Sequence, residues 1–142
     1  MLSKINSMLS SSDPSNIKLG VTLLESLYPT EYAALAAEWQ PWADIFGTNV
    51  ADTTARNGLG EIDCSGMELR KIPALPKTVQ VLICSDNELT ELPALPNVQV
   101  LHCWSNQLTS LPALPNVREL YCRNNRFSNS AAILELYPFA QM

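Results

Sequence analysis

The sequence has few of the features that mark nucleic-acid-binding, membrane-bound or secreted proteins. Its 142 residues carry a net charge of −5, so the broad basic surface that neutralises phosphate groups is missing and neither nucleic acid nor a membrane surface is an expected partner. No segment holds the roughly 20 apolar residues of a transmembrane helix. The N-terminal segment MLSKINSMLSSSDPSN lacks the apolar run of a secretory signal peptide, which favours a cytoplasmic location.

Motifs for catalysis or metal binding are also absent. His102 is the single histidine, and no glycine-rich phosphate loop occurs. The four cysteines follow one another at intervals of 20, 19 and 19 residues without a CxxC pair, which is not a zinc-ligand spacing. We therefore expect no catalytic residue, no metal ligand and no cofactor, and predict that the protein is not an enzyme. The cysteines are interpreted as buried free thiols, with a redox role or soft-metal binding as the alternative.

The dominant feature of the chain is a repeat of 19 or 20 residues between Leu59 and Phe127. Its units are LGEIDCSGMELRKIPALPKT, VQVLICSDNELTELPALPN, VQVLHCWSNQLTSLPALPN and VRELYCRNNRF. A period this short means that one small unit stacks on copies of itself, because no unit can bury its apolar face alone. The chain is therefore expected to contain a short solenoid.

Each unit combines three chemical patterns. The alternation of Leu82 with Cys84 has the period of a short strand with one buried face, so successive units predict a parallel sheet. The Leu-Pro-Ala-Leu-Pro segment favours an extended, polyproline-like return, because proline cannot donate to a sheet ladder. The asparagines Asn87, Asn106 and Asn125 predict an amide ladder that bonds the backbone at each corner.

These patterns resemble a known family. The pattern LxxLxCxxNxLTxLPxLP, present from Val98 to Pro115, is similar to the short bacterial class of leucine-rich repeat, which includes type III-secreted effectors. The resemblance implies an α/β solenoid with a curved parallel sheet on its concave face, polyproline-like convex segments and a role in protein recognition. Some larger members carry a C-terminal ubiquitin ligase domain, and no segment here matches it.

The pattern divides the chain into an N-terminal helical cap (1–58), about four leucine-rich repeats (59–127) and a C-terminal cap (128–142). In the first segment, Asp13-Pro14 predicts a helix start. Thr30 is expected to cap a further helix that kinks or restarts at Pro41 and stops at Gly47. A weaker apolar stripe predicts a short helix before these, formed by Leu2, Ile5, Met8 and Leu9.

Two aromatic features have alternative interpretations. Trp39 and Trp42 either pack as core residues against the open end of the first repeat or line a ligand groove. The C-terminal apolar residues are expected to fold over the last repeat; they are Ile133, Leu134, Leu136, Tyr137 and Phe139. If that cover is incomplete, the exposed edge strand predicts a homodimer through the C-terminal edge.

If the leucines and cysteines of the strands point inward, the alternate residues point outward on the concave face. The predicted partner-binding residues are Val81, Ile83, Val100, His102, Trp104, Glu119, Tyr121 and Arg123. Trp, Tyr and Arg are enriched at binding hot spots. The alternative is that Trp104 folds onto Ile83 and Tyr121 as a surface cluster without a partner.

The sequence thus supports three hypotheses about function. The first is a non-catalytic protein-protein interaction module that binds a peptide or protein on the concave face. The second is a type III-like secreted effector without a catalytic domain, for which the location would be outside the cell of origin. The third is a structural protein that associates with itself.

Overall fold

The computed structural model describes residues 1–142 and separates an N-terminal helical unit, Met1–Gly60, from a second unit, Glu61–Met142. The first unit contains α1 (Leu2–Leu9), α2 (Pro14–Leu27), α3 (Pro29–Phe46) and α4 (Val50–Asn57). Helix α2 contacts the other three helices, and α3 also contacts α4. The short first helix predicted from the weak apolar stripe is confirmed as α1. None of the helices is both long and apolar enough to cross a bilayer.

Local capping chemistry accounts for most of the helix boundaries. Asp13 accepts a hydrogen bond from the Ser15 N–H at 2.9 Å, and Pro14 begins α2, as predicted. Gly47 ends α3 in the left-handed conformation at φ +69°, also as predicted. The predicted Thr30 cap is wrong, because α3 begins at Pro29. The proline ring presets the helical φ and lacks the N–H that a capping side chain would otherwise satisfy.

Two details of α3 distinguish between the sequence interpretations. The helix runs through Pro41 without a restart, and Ala37, whose carbonyl loses its usual N–H donor there, is exposed to water. Trp39 and Trp42 are 2% and 0% exposed, so both are core residues and neither lines an open groove. Helix α4 was not predicted separately, although its start has a local signal: Asn49 accepts a hydrogen bond from the Asp52 N–H at 2.7 Å.

The second unit is built on a four-stranded parallel sheet in the order β1-β2-β3-β4. The strands are β1 (Glu61–Asp63), β2 (Val81–Ile83), β3 (Val100–His102) and β4 (Glu119–Tyr121). Equivalent repeat residues pair, as Leu82 with Leu101 does. The central residue of every strand is buried, and the segments that return from one strand to the next have no helix. The predicted α/β solenoid with a parallel sheet is confirmed.

The predicted asparagine ladder is present and bonds each repeat to its neighbour. The Asn106 amide oxygen accepts from the Leu89 N–H at 3.0 Å, and its nitrogen donates to the carbonyls of Cys84 and Cys103 at 3.0 and 3.1 Å. Asn87 and Asn125 make equivalent bonds one repeat away on each side. Each amide therefore forms hydrogen bonds with backbone groups of two successive repeats, and these bonds hold the two repeats together.

Immediately after the strands, the cysteines form a buried column. All four are free thiols and are at most 1% exposed; they are Cys64, Cys84, Cys103 and Cys122. Burial raises the pKa of Cys64 to about 12, with a smaller contribution from Asp63, and raises the pKa of Cys122 to about 11. The cysteines are therefore protonated core residues at neutral pH.

The C-terminal segment covers the last strand in a way that differs from the prediction. Helix α5 (Ser130–Leu136) follows the repeats, and Gln141 then pairs with β4, donating to the Leu120 carbonyl at 2.8 Å and accepting from the Cys122 N–H at 2.9 Å. Tyr137 accepts a hydrogen bond from the Leu114 N–H through its hydroxyl. The prediction that all the C-terminal apolar residues fold inward is wrong. Their exposed members are Leu134, Leu136 and Phe139, at 39%, 72% and 43%.

The asparagine ladder predicts a large difference between two similar substitutions. Asn106→Ala should lower the free energy of unfolding by roughly 2–3 kcal/mol, because it strands buried backbone groups without partners. Asn116→Ala is the matched control, since the exposed Asn116 makes a bond to the Pro96 carbonyl and should cost less than about 1 kcal/mol. Urea unfolding followed by circular dichroism measures both. If both substitutions lowered the free energy of unfolding equally, the ladder would not stabilise the fold more than an exposed side-chain hydrogen bond does.

The cysteine column predicts slow thiol chemistry. At pH 8 the folded protein should react with a disulfide reagent about a hundredfold more slowly than the urea-unfolded chain, with Cys122 reacting first. Because folding raises these pKa values, the thiols stabilise the fold fully below the unfolded pKa of about 8.5 and progressively less as pH rises toward the folded values. Cys122→Ala should remove the fastest labelling phase. Rapid labelling at pH 8 would mean that the thiols are not shielded.

Candidate binding face of the sheet

The side chains that alternate with the buried core residues form one surface, called here the sheet face. Backbone pairing arranges it in three rows that cross the strands. The first row is Glu61, Val81, Val100 and Glu119, and the second is Asp63, Ile83, His102 and Tyr121. The third row lies just beyond the strands and contains Ser65, Ser85, Trp104 and Arg123. All of the predicted partner-binding residues are in these rows.

The second row contains the closest aromatic contact of the sheet face. The rings of His102 and Tyr121 meet edge to face with their centroids 4.6 Å apart. Tyr121 is 38% exposed, while His102 and its other neighbour Ile83 are half-buried. The strand register therefore creates an aromatic pair beside an aliphatic side chain, from residues about 19 positions apart in sequence.

The third row is positioned by a tight backbone corner. The N–H groups of Gly66, Asp86 and Ser105 donate to the carbonyls of Ser85, Trp104 and Arg123, respectively, at 3.0, 3.1 and 2.9 Å. The donors adopt left-handed φ values of 67°, 55° and 55°. Gly and Asp tolerate this conformation more readily than Ser, so the corner at Ser105 is set by the repeat rather than by the local residue. Trp104 and Arg123 consequently neighbour each other on adjacent repeats.

Ser85 was not among the predicted binding residues, although it lies within the third row. It is 1% exposed and its hydroxyl oxygen has no hydrogen-bond partner, whereas the equivalent Ser65 is exposed. Its neighbours in the row are the short Ser65 and the large Trp104. Comparing the repeats could have identified this position. Ser85 and Trp104 occupy the same position of neighbouring repeats, so a short side chain lies beside a large one in the same row.

Burial differs among the predicted residues. The side chains of Val81, Ile83, Val100, His102 and Trp104 are half-buried, and those of Glu119, Tyr121 and Arg123 are exposed. Strands β2 and β3 therefore offer an aliphatic surface, and β4 offers the most accessible side chains. Charge is also uneven: β1 contributes Glu61 and Asp63, both half-buried, while Arg123 follows β4 at the opposite side.

The sheet face does not bring its histidine and the nearest thiol together. His102 points outward, and the next residue, Cys103, is fully buried beneath the sheet, so the two side chains are on opposite sides of the backbone. The structure contains no group of three or more His, Cys, Asp or Glu side chains that could hold a metal ion. What the face can provide is contact area, aromatic rings and charges at its two sides.

A cavity beside α5 was not predicted. A cavity of about 570 Å³ lies between the last Leu-Pro-Ala-Leu-Pro segment and α5, with apolar walls that include Leu111, Phe127 and Tyr137. Its rim carries polar groups from Thr109, Ser128 and other residues. The signal for it was the apolar C-terminal segment, but the path of α5 depends on tertiary packing that the repeat pattern does not encode.

Part of the repeat segment matches a known family model. Residues 77–116 and 96–135 match a family model described as Leucine Rich repeats (2 copies). The chain is also similar to a solved Shigella effector LRR domain, with 26% sequence identity and a TM-score of 0.46. That similarity covers 70% of this chain and 41% of the Shigella chain. No curated protein matches the chain.

The unpartnered hydroxyl of Ser85 predicts that its removal is favourable. Ser85→Ala should raise the free energy of unfolding by roughly 1 kcal/mol, because a buried hydroxyl without a hydrogen bond carries a desolvation cost. Ser65→Ala is the control at the equivalent repeat position, where the side chain is exposed and bonded to Asp63. Urea unfolding of both variants tests this expectation, and a loss of stability in Ser85→Ala would show that the hydroxyl has a stabilising partner.

Proposed function

Because the chain contains leucine-rich repeats, we propose that it is a non-catalytic interaction module that binds a protein or peptide through the sheet face. The observation that carries the proposal is the His102–Tyr121 aromatic pair, with Tyr121 exposed on a rigid strand. An aromatic side chain held on a packed sheet offers contact area at a low cost in conformational entropy. Leucine-rich repeats are generally used for binding rather than catalysis.

The proposed site is centred on β3 and β4. Val81, Ile83 and Val100 supply an aliphatic surface, and His102, Trp104 and Tyr121 supply aromatic rings beside it. Glu119 and Arg123 are exposed at the two ends of β4, where charged groups can select and orient a partner. This combination of an apolar centre and a polar border is typical of protein interfaces.

The size of the face favours a small partner. Four strands extend only about 15 Å across the sheet at the usual strand spacing. A standard protein interface needs about 800 Å² from each partner, which is more than a face of this width provides. A peptide segment or a protruding loop therefore fits the proposal better than a flat domain surface.

The cellular location is also a proposal. Four buried free thiols are consistent with a reducing compartment, so we favour the cytoplasm. Export as an effector without a catalytic domain is the alternative, suggested by the repeat pattern alone. Measuring an epitope-tagged chain in culture supernatant and in cell lysate distinguishes the two, provided that a cytoplasmic marker reports lysis.

Self-association through the C-terminal edge is a further proposal with a structural requirement. Gln141 already occupies backbone groups of β4 through two hydrogen bonds. A second copy would have to displace this segment or pair beyond it. The exposed apolar side chains of Leu134, Leu136 and Phe139 are close in sequence to the segment and could contribute to such a contact. Light scattering of the full chain measures whether a dimer forms.

The proposed interface predicts the behaviour of a double substitution. Trp104→Ala/Tyr121→Ala should lose the proteins that the wild type captures from lysate of the source cell, because the variant removes the two largest side chains of the face. Leu134→Ala/Leu136→Ala is the matched control on α5 and should retain them. All proteins are first compared by circular dichroism and light scattering. Identical captured proteins for wild type and the sheet-face variant would contradict the proposed site.

A further inference from the structure

We propose that the partner presents an extended segment with a basic side chain over β1, apolar side chains over β2 and β3, and a carboxylate near Arg123 after β4. This inference rests on the proposed function and adds the chemistry of the ligand. It follows from the order in which the strand register arranges charge and apolar surface across the sheet face. The segment crosses the strands instead of extending the sheet.

The β1 side of the sheet face is acidic. Glu61 and Asp63 are two residues apart on one strand, so their side chains lie on the same side of the sheet. Both are half-buried, which limits solvent screening, and no basic residue occurs in β1. The backbone partners of these residues on β2 are Val81 and Ile83, which carry no compensating charge. A lysine or arginine of the partner matches this side of the face.

The middle of the face is apolar in the two rows that contain those acids. The first row continues from Glu61 to Val81 and Val100, and the second from Asp63 to Ile83. These aliphatic side chains are only half-buried, so a covering apolar group would remove further area from water. The second row then reaches the ring of His102, so aliphatic and aromatic ligand side chains both have a complementary surface.

On the β4 side, the sheet face carries a cation, Arg123, in the same row as Trp104. Arg123 is exposed, and its carbonyl accepts from Ser105, the residue that follows Trp104. Glu119 is on the same strand, with Tyr121 between it and Arg123 in sequence. Glu119 begins β4 and Arg123 follows the end of the strand by two residues, so the register places Arg123, and not Glu119, in the row of Trp104. A carboxylate of the partner can form a paired contact with this guanidinium.

The backbone of the sheet explains why side chains have to carry the recognition. The hydrogen-bonding groups of β2 and β3 point sideways within the sheet and are used in pairing with their neighbours. A segment lying on the face therefore meets side chains only. Three strand spacings amount to about 14 Å, which an extended chain covers in four to five residues at about 3.3 Å each. The basic and acidic residues of the segment should be separated by that interval.

A display selection tests the inference directly. Random short peptides on phage are selected against the immobilised full chain, and the enriched sequences are compared with the unselected library. We expect a basic residue four to five positions from Asp or Glu, with apolar residues between them. The best enriched peptide is then synthesised, and its binding to the purified chain is measured by fluorescence anisotropy at low and high salt.

Charge reversal identifies which side of the sheet face contacts the basic residue of the peptide and which contacts the acidic residue. Glu61→Lys/Asp63→Lys should weaken binding about tenfold or more, because like charges then meet. A peptide with its basic residue replaced by Glu should recover binding to this variant but not to the wild type. Glu91→Lys/Glu135→Lys makes the same change in net charge at exposed positions off the sheet face and should leave binding unchanged. Arg123→Glu should also weaken binding, and a peptide with its acidic residue replaced by Lys should recover binding to this variant.

The outcomes separate this inference from the proposed function. Enriched peptides that lack the charge order, but lose binding to Trp104→Ala/Tyr121→Ala, would overturn the inference and support the binding site. Enrichment of no peptide, or equal effects of the sheet-face and control charge reversals, would also overturn it. A dimer that disappears in the Trp104→Ala/Tyr121→Ala variant would assign the face to a second copy of the chain and overturn the peptide assignment.

Discussion

The hydrogen bonds of the asparagine amides are the interaction on which the repeat unit depends. Each repeat turns a corner directly after its strand, and the corner leaves backbone N–H and carbonyl groups inside the structure without sheet partners. Asn106 satisfies three such groups from two repeats at distances of 3.0–3.1 Å, and Asn87 and Asn125 repeat the arrangement. A side chain with both donor and acceptor groups is needed, because aspartate would leave the backbone carbonyls without a donor and leucine would leave both the carbonyls and the N–H group without partners.

This constraint makes the core of the last three repeats uniform and their surface free to vary. There, leucine at the strand centre, cysteine after the strand and asparagine at the corner all face the interior, whereas the first repeat has Ile62 and Met67 at the leucine and asparagine positions. The outward positions carry no such requirement, and in one row they change from Asp63 to Ile83, His102 and Tyr121. The ordered pattern of charge and apolar surface therefore arises on a backbone that does not depend on it.

Sequence periodicity predicted the repeats well and the ends less well, for a physical reason that particular residues illustrate. The strand alternation at Leu82 and the ladder at Asn106 were predictable because each depends on contacts that recur in every unit. Thr30 failed as a cap because Pro29 starts the helix one residue earlier. Leu136 was expected to cover the last repeat and is 72% exposed, and Gln141 instead pairs with the edge of β4. The packing at the ends depends on contacts that occur only once in the chain, so the repeat pattern does not predict which apolar residues are buried there.

The sequence by itself determined the solenoid, its parallel sheet, the inward direction of the cysteines and the set of residues on the sheet face. These features can be predicted from local sequence, because the order of apolar and polar residues shows both the period of two within a strand and the period of the repeat. Only the tertiary structure decided the contact between the rings of His102 and Tyr121, the burial of the Ser85 hydroxyl and the pairing of Gln141 with β4. These features depend on side-chain packing and chain path across residues distant in sequence, which no local pattern records.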